Sequence, residues 1–143
     1  MNIKDETDRK EILEALNHNM NEEFRATLQY ICHRILARGK NMVLAESFKS
    51  AALDEMSHIL FFSDLIEKYG GTVQLGEWDT DRSGDIAQML RADLALEQAA
   101  RKRYAEQLEQ FRGNAEICSI LASVLADEED HEQDFTRYLQ ELA

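Results

Sequence analysis

The chain has 143 residues, 44% of them hydrophobic and 31% charged, a balance that supports one globular domain over residues 1–143 and argues against disorder. Its 16 Lys+Arg face 28 Asp+Glu, a formal charge of −12, which argues against nucleic acid or an anionic membrane as partner and favours cations. No run of eighteen apolar residues is present to span a bilayer, and the N-terminus from Met1 to Glu6 has no apolar secretory core. Cys32 and Cys118 stand far apart, as expected of buried free thiols in a cytoplasmic protein.

Proline is absent, and the six glycines punctuate long stretches of 3.6-type apolar spacing rich in helix formers. The spacing predicts a first helix over 5–38, opening on an acidic turn at Asp5, Glu6 and Asp8. A second follows over 42–69, a third over 85–112 and a fourth over 114–141. No segment alternates with period two, so no strand is predicted. The breaks near Gly39 and Gly113 are short and force two antiparallel hairpins. The segment 70–84 is longer, about 15 residues with Trp78 inside it. A 28-residue helix is roughly 42 Å long, and 15 extended residues reach about 50 Å. The segment can therefore run the length of a bundle and leave the second and third helices parallel. The predicted architecture is an all-α four-helix bundle with one long crossover.

Each predicted helix has an apolar stripe with a glutamate near its middle. The stripes run Leu13, Leu16, Met20, Glu23, Thr27, Tyr30; Phe48, Ala52, Glu55, Ile59, Phe62, Ile66; Leu90, Leu94, Glu97, Tyr104, Leu108, Phe111; and Leu121, Val124, Glu128, His131, Phe135, Tyr138. Bundling brings the four glutamates to one level. Desolvating even one unpaired carboxylate costs several kcal/mol, so a positive charge belongs among them. Two glutamates are each followed three residues on by a histidine, as Glu55-x-x-His58 and Glu128-x-x-His131, which places both side chains on one helix face. Four carboxylates and two imidazoles form two N/O sites of the kind that hold iron or manganese, and four negative charges balance two divalent ions.

The halves repeat. Glu23 precedes Tyr30 as Glu97 precedes Tyr104, and Asp54-Glu55-x-x-His58 recurs as Asp127-Glu128-x-x-His131. A pseudo-twofold follows, and with it an expected acceptor for each histidine's outer N–H: Asp127 for His58 and Asp54 for His131. The tyrosines are either donors to a ligand carboxylate or plain core. His18 and His33 lie outside both motifs and are expected to be surface or structural.

These stretches, Glu23-Phe-Arg-Ala-Thr-Leu-Gln-Tyr30, Leu53-Asp-Glu-Met-Ser-His58, Met89-Leu-Arg-Ala-Asp-Leu-Ala-Leu-Glu97 and Leu125-Ala-Asp-Glu-Glu-Asp-His131, resemble the bacterioferritins of the ferritin-like di-iron superfamily, over about residues 10–140. The resemblance implies a ferritin-like bundle with two irons per subunit held by Glu23, Glu55, His58, Glu97, Glu128 and His131, with Glu55 and Glu128 bridging. It implies a ferroxidase that oxidises Fe(II) with O2 or H2O2 for iron storage and detoxification. A peroxidase, catalase-like or substrate-oxidase use of the same ligands is the alternative, and a structural helical dimer with a vestigial acidic core is the non-enzymatic one. A eukaryotic-type ferritin would lack the second histidine, and a rubrerythrin would carry a glutamate where Ala100 stands. The resemblance further implies haem or a related iron porphyrin at a twofold interface, ligated by Met56 from each copy; Lys49, one to two turns before Met56, could reach a propionate but is expected to be solvated. A second apolar stripe, Phe24, Leu28, Ile31 and Ile35, would flank that interface. The short fifth helix of bacterioferritins has no counterpart before Ala143, so the expected homo-oligomer is a twofold dimer or a shell of 12 or 24 copies.

Overall fold

A computed structural model describes residues 6–142 as four helices: α1 (Glu6–Ala37), α2 (Met42–Lys68), α3 (Ile86–Gln110) and α4 (Ala115–Leu142). All the predicted bounds that fall within these residues are met to within two positions. Asp5 lies outside the described residues, whereas Glu6 and Asp8 do form an acidic first turn.

Local chemistry sets the helix ends. Asn41, Asp85 and Asn114 each turn a side-chain oxygen onto the N–H three residues ahead, at 3.2, 3.0 and 3.1 Å, satisfying one orphan donor at the starts of α2, α3 and α4. At the end of α2, Gly70 adopts φ +72°, and its N–H and that of Gly71 return to the carbonyls of Glu67 and Ile66, both at 2.9 Å. This doubly bonded turn needs a left-handed residue, which glycine supplies without strain.

The crossover lies along α1 like a strap. Arg9 Nε donates to the Tyr69 carbonyl at 2.9 Å, and Asn17 Nδ2 to that of Thr72 at 3.2 Å. Asn21 both donates to the Gln74 carbonyl and accepts from the Gly76 N–H, each at 2.7 Å. Arg25 reaches the Asp79 carbonyl at 3.2 Å, Gln29 accepts from the Asp81 N–H at 2.9 Å, and Lys40 bonds the Gly84 carbonyl. The strap thus ascends α1 in step, α3 starts where α1 ends, and α2 and α3 are parallel. Phe24 and Trp78 stack across this seam with centroids 5.2 Å apart. Gly71 passes so close to α1 that a Cβ there would lie 2.4 Å from Leu13 Cδ2.

Helix α1 packs on α2 and α3 on α4, with α1 facing α3 and α2 facing α4. The apolar core is divided in two. Leu16, Met20, Phe62, Ile66, Leu121 and Val124 belong to one part, and Leu44, Phe48, Met89, Leu90 and Phe135 to the other. Between them lies the layer that carries the chemistry. Replacing Gly70 by alanine is expected to cost about 1–2 kcal/mol, the strain of a Cβ in the left-handed region, read as a lower urea midpoint with unchanged slope.

Candidate metal centre

The structure brings Glu23, Glu55, His58, Glu97, Glu128 and His131 together in that layer, the first five 1% exposed and His131 6%. Both periodicity and topology place them there. One residue of each stripe falls at mid-helix, and the strap fixes the register that aligns the four midpoints. The donor atoms form two overlapping groups, Glu23–Glu55–His58–Glu128 and Glu55–Glu97–Glu128–His131, the atoms of each within 4.8 Å of one another. Glu55 and Glu128 are common to both.

Most inner atoms of this layer lack partners; His131 Nδ1, 3.2 Å from Glu97 Oε1, is the exception. Glu23 Oε2, Glu55 Oε1, Glu97 Oε2, Glu128 Oε1 and His58 Nδ1 are buried without a hydrogen bond. His58 Nδ1 lies 3.3–3.6 Å from oxygens of Glu128, Glu23 and Glu55, none of them well directed for a bond. Orphaned buried polar atoms cost free energy each, and native interiors hold few. Here the orphans converge on one volume, and their donor chemistry, four carboxylates and two imidazole nitrogens, fits a pair of divalent transition-metal ions.

The outer atoms of His58, His131, Glu23 and Glu97 are engaged. His58 Nε2 meets Asp127 Oδ2 and His131 Nε2 meets Asp54 Oδ2, each at 2.8 Å, so that both rings point Nδ1 inward. The two aspartate side chains are 45% and 48% exposed, so each touches the layer from the rim. Tyr30 donates to Glu97 Oε1 and Tyr104 to Glu23 Oε1, the two bonds related by the sequence repeat. Both tyrosines are fully buried, so each is at once core and donor.

Proton affinities follow from this crowding. Burial, and then repulsion from Glu128 and the other carboxylates, pushes Glu55 and Glu97 well above the usual carboxylate range. Burial opposes charge on the imidazoles. The carboxylates around them outweigh it, raising His58 to about 11 and His131 to about 10. Burial acts against the Glu128 anion too, but bonds from His58, Glu97 and Glu55 bring it down to about 2. The metal-free layer therefore holds protons where cations would otherwise sit.

A family model described as a ferritin-like domain matches residues 13–143. The chain belongs to the ferritin-like family. A bacterioferritin of Streptomyces coelicolor is 30% identical over 125 residues, 85% of this chain and 75% of that one. Among solved structures, a dodecameric thioferritin from Bacteroides fragilis, a bacterioferritin-related protein, superposes with TM-score 0.86 at 26% identity. The match covers 94% of this chain and 87% of that one. A ferritin-like di-iron-carboxylate protein from Bacillus anthracis gives TM-score 0.85 at 28% identity, over 92% and 96%. The four-helix arrangement with one crossover is thus the ferritin-like bundle.

Other residues singled out from sequence fall elsewhere. Met56 is 45% exposed on the outer side of α2, and Leu28, Ile31 and Ile35 are exposed on α1, while Phe24 is covered by Trp78. Lys49 and His18 are exposed. His33 is fully buried, with Nδ1 2.7 Å from Asp93 and Nε2 3.0 Å from Asp81, a structural role that ties α1, α3 and the strap together. Sequence reasoning passed over Asp93 and its counterpart Asn19, which pairs with Gln107 at 2.6 and 2.9 Å. The signal was present: Asn19 and Asp93 each precede a stripe glutamate by four positions, on the same buried face.

Two imidazoles bound more tightly to protons when folded give a definite pH dependence. Their contribution to the metal-free ferritin-like bundle is fully present below the free-histidine value of 6.5 and is lost as pH rises toward about 10 and 11. The raised Glu55 and Glu97 act in the same direction, and Glu128 acts oppositely, below the ordinary carboxylate range. Urea unfolding of chelator-treated protein is expected to show stability falling steadily from neutral to strongly alkaline pH. Metal-loaded protein is expected to show a much weaker decline, because the ions replace those protons.

Proposed function

We propose that the chain, acting as one ferritin-like domain, is a bacterioferritin-type ferroxidase that oxidises Fe(II) for iron storage and detoxification. The observation that carries this reading is the set of orphaned buried donors converging from four helices, two of them shared between two sites. Glu23 and His58 would hold one ion, Glu97 and His131 the other, and Glu55 and Glu128 both. Manganese suits the same donors, but Fe(II) is the substrate this reading assigns.

Bound iron supplies one electron per ion, so two adjacent Fe(II) ions give an oxidant two electrons at once. One O2 with two protons then leaves as H2O2, or one H2O2 with two protons leaves as two waters, and no one-electron oxygen radical need escape. The protein holds the donors in place. Asp127 and Asp54 fix the histidine tautomers, Tyr30 and Tyr104 orient the outer oxygens of Glu97 and Glu23, and two apolar clusters keep bulk water from the layer. The net charge of −12 draws Fe(II) toward the molecule.

The exposed apolar residues of the α1–α2 hairpin, Leu28, Ile31 and Ile35 with Leu53, Met56 and Leu60, support a twofold interface between copies. In this reading Met56 from each copy would hold an iron porphyrin there, and the dimers would build a shell of 12 or 24. No helix among the described residues is long and apolar enough to cross a membrane, and Cys32 and Cys118 are free thiols, half-buried rather than buried as expected. The cytoplasm is the compartment that suits them.

Glu55→Ala and His58→Ala are expected to abolish rapid Fe(II) oxidation, followed as the rise in Fe(III) absorbance, while circular dichroism stays helical. Unchanged rates would sink the assignment. Asp127→Asn leaves the ligands in place and is expected to weaken metal binding about 10–100-fold in anaerobic titration. Met56→Leu is expected to remove the porphyrin absorbance band and leave ferroxidation intact. Retention of the band would place the porphyrin elsewhere.

A further inference from the structure

The two sides of the carboxylate layer are built differently. On the α2–α4 side the two imidazoles close it, each backed by an aspartate. On the α1–α3 side lies a cavity of about 20 Å³ that touches Glu23, Glu55, Glu97 and Glu128 and reaches the surface between the helices. Its walls are short: Ala26 on α1, with Ala99 and Ala100 on α3. A space of that size holds about one water-sized molecule. Dioxygen or hydrogen peroxide fits it, and a branched organic oxidant does not.

The cavity also carries a fixed cation. Arg103 lines it, and by the repeat stands where the other half has Gln29, the same 74 positions that separate Glu23 from Glu97. Gln29 turns away, donating to Asp93 Oδ1 at 2.7 Å and accepting from the strap. Arg103 is pinned in place. Its Nε donates to Asn19 Oδ1 at 3.2 Å, Asn19 is locked to Gln107 by two amide bonds, and the guanidinium carbon sits 4.8 Å above the Tyr104 ring. Glu22, at the same mouth, is engaged by Arg25 Nε at 3.3 Å. Among the departures from the pseudo-twofold, this one puts a guanidinium beside the cavity where the other half has a neutral amide.

We propose that the α1–α3 cavity is the oxidant port of the centre and that Arg103 is its specificity-determining residue, favouring peroxide over dioxygen and turning Fe(II) away. This rests on the ferroxidase reading above. A guanidinium donates charge-assisted hydrogen bonds to a peroxide oxygen and stabilises the negative charge that develops as the O–O bond breaks. The two electrons come from two Fe(II) ions, and two protons complete two waters. Dioxygen is a poor hydrogen-bond acceptor and gains little from the same group. A fixed positive charge repels a dication at close range, so Fe(II) is not drawn in past Arg103.

The test compares full-length wild type with Arg103→Gln, Arg103→Lys and Ala100→Leu. Anaerobic Co(II) titration is expected to give two ions per chain in all four. Azide added to the Co(II)-loaded protein probes the port. Its affinity is expected to fall at least about tenfold in Arg103→Gln, the worth of one charge-assisted hydrogen bond, and to recover in Arg103→Lys. Fe(II) oxidation by H2O2 should fall by a similar factor in Arg103→Gln while oxidation by O2 changes less than about twofold. Filling the cavity with Ala100→Leu should slow both oxidants alike. If Arg103→Gln leaves azide affinity and the peroxide-to-dioxygen ratio unchanged, the assignment of Arg103 is overturned. If Ala100→Leu binds two Co(II) and oxidises at the wild-type rate with both, the port is overturned. A wild type that takes up no pair of Co(II) ions overturns the ferroxidase reading itself, and the port with it.

Discussion

Four carboxylates in one buried layer are the constraint on which the rest of this molecule depends. Left bare, they repel one another and pay desolvation with no compensating partner. Asp127, Asp54, Tyr30 and Tyr104 satisfy the outer atoms of His58, His131, Glu97 and Glu23, while one oxygen of each of the four glutamates and His58 Nδ1 have no partner. That division separates a metal centre from an ordinary polar core, where hydrogen bonds would close on themselves. Without metal, raised affinities at His58, His131, Glu55 and Glu97 bring in protons as substitutes. The same residues can thus hold protons or divalent ions, and metal uptake is coupled to proton release.

Such a layer works only if four helix midpoints meet, and the strap is the part of the chain that aligns them. Its bonds to α1 recur every turn or so, from Arg9 near one end to Lys40 just past the other. They make the second hairpin return with α3 parallel to α2. The buried pairs Asn19–Gln107 and His33–Asp93 then hold α1 against α3 on either side of the layer. Both pairs lie within about three helical turns of the glutamates they flank, so register is set close to where it matters.

The helices, the crossover and the six donors were legible in the sequence because each leaves a periodic trace. A glutamate on an apolar stripe is conspicuous, and a histidine three residues later lies on the same face. The half-repeat even gave the partners of the two histidines, since a twofold exchanges Asp54 with Asp127. The α1 ladder of Asn17, Asn21, Arg25 and Gln29 was not legible. Polar residues four apart read the same whether they face water or a strap that covers them. Arg103 was hidden for a related reason: a charged residue next to a core tyrosine looks like a solvated neighbour until the cavity beside it is seen. In the proposed reading Met56 and the apolar outer face belong to contacts between copies, and in the single chain they are exposed.

The repeat gives two similar half-sites, and departures from it mark the places where the halves take different roles. His33 in one half corresponds to Gln107 in the other, and Gln29 to Arg103. The most direct test of the central claim is a crystal structure of the Fe(II)-loaded protein, grown anaerobically, with anomalous scattering recorded at the iron edge. Two peaks per chain are expected in the buried layer, roughly 3.5–4 Å apart, with Glu55 and Glu128 contacting both. An empty layer, or iron bound only on the acidic surface, would contradict the account.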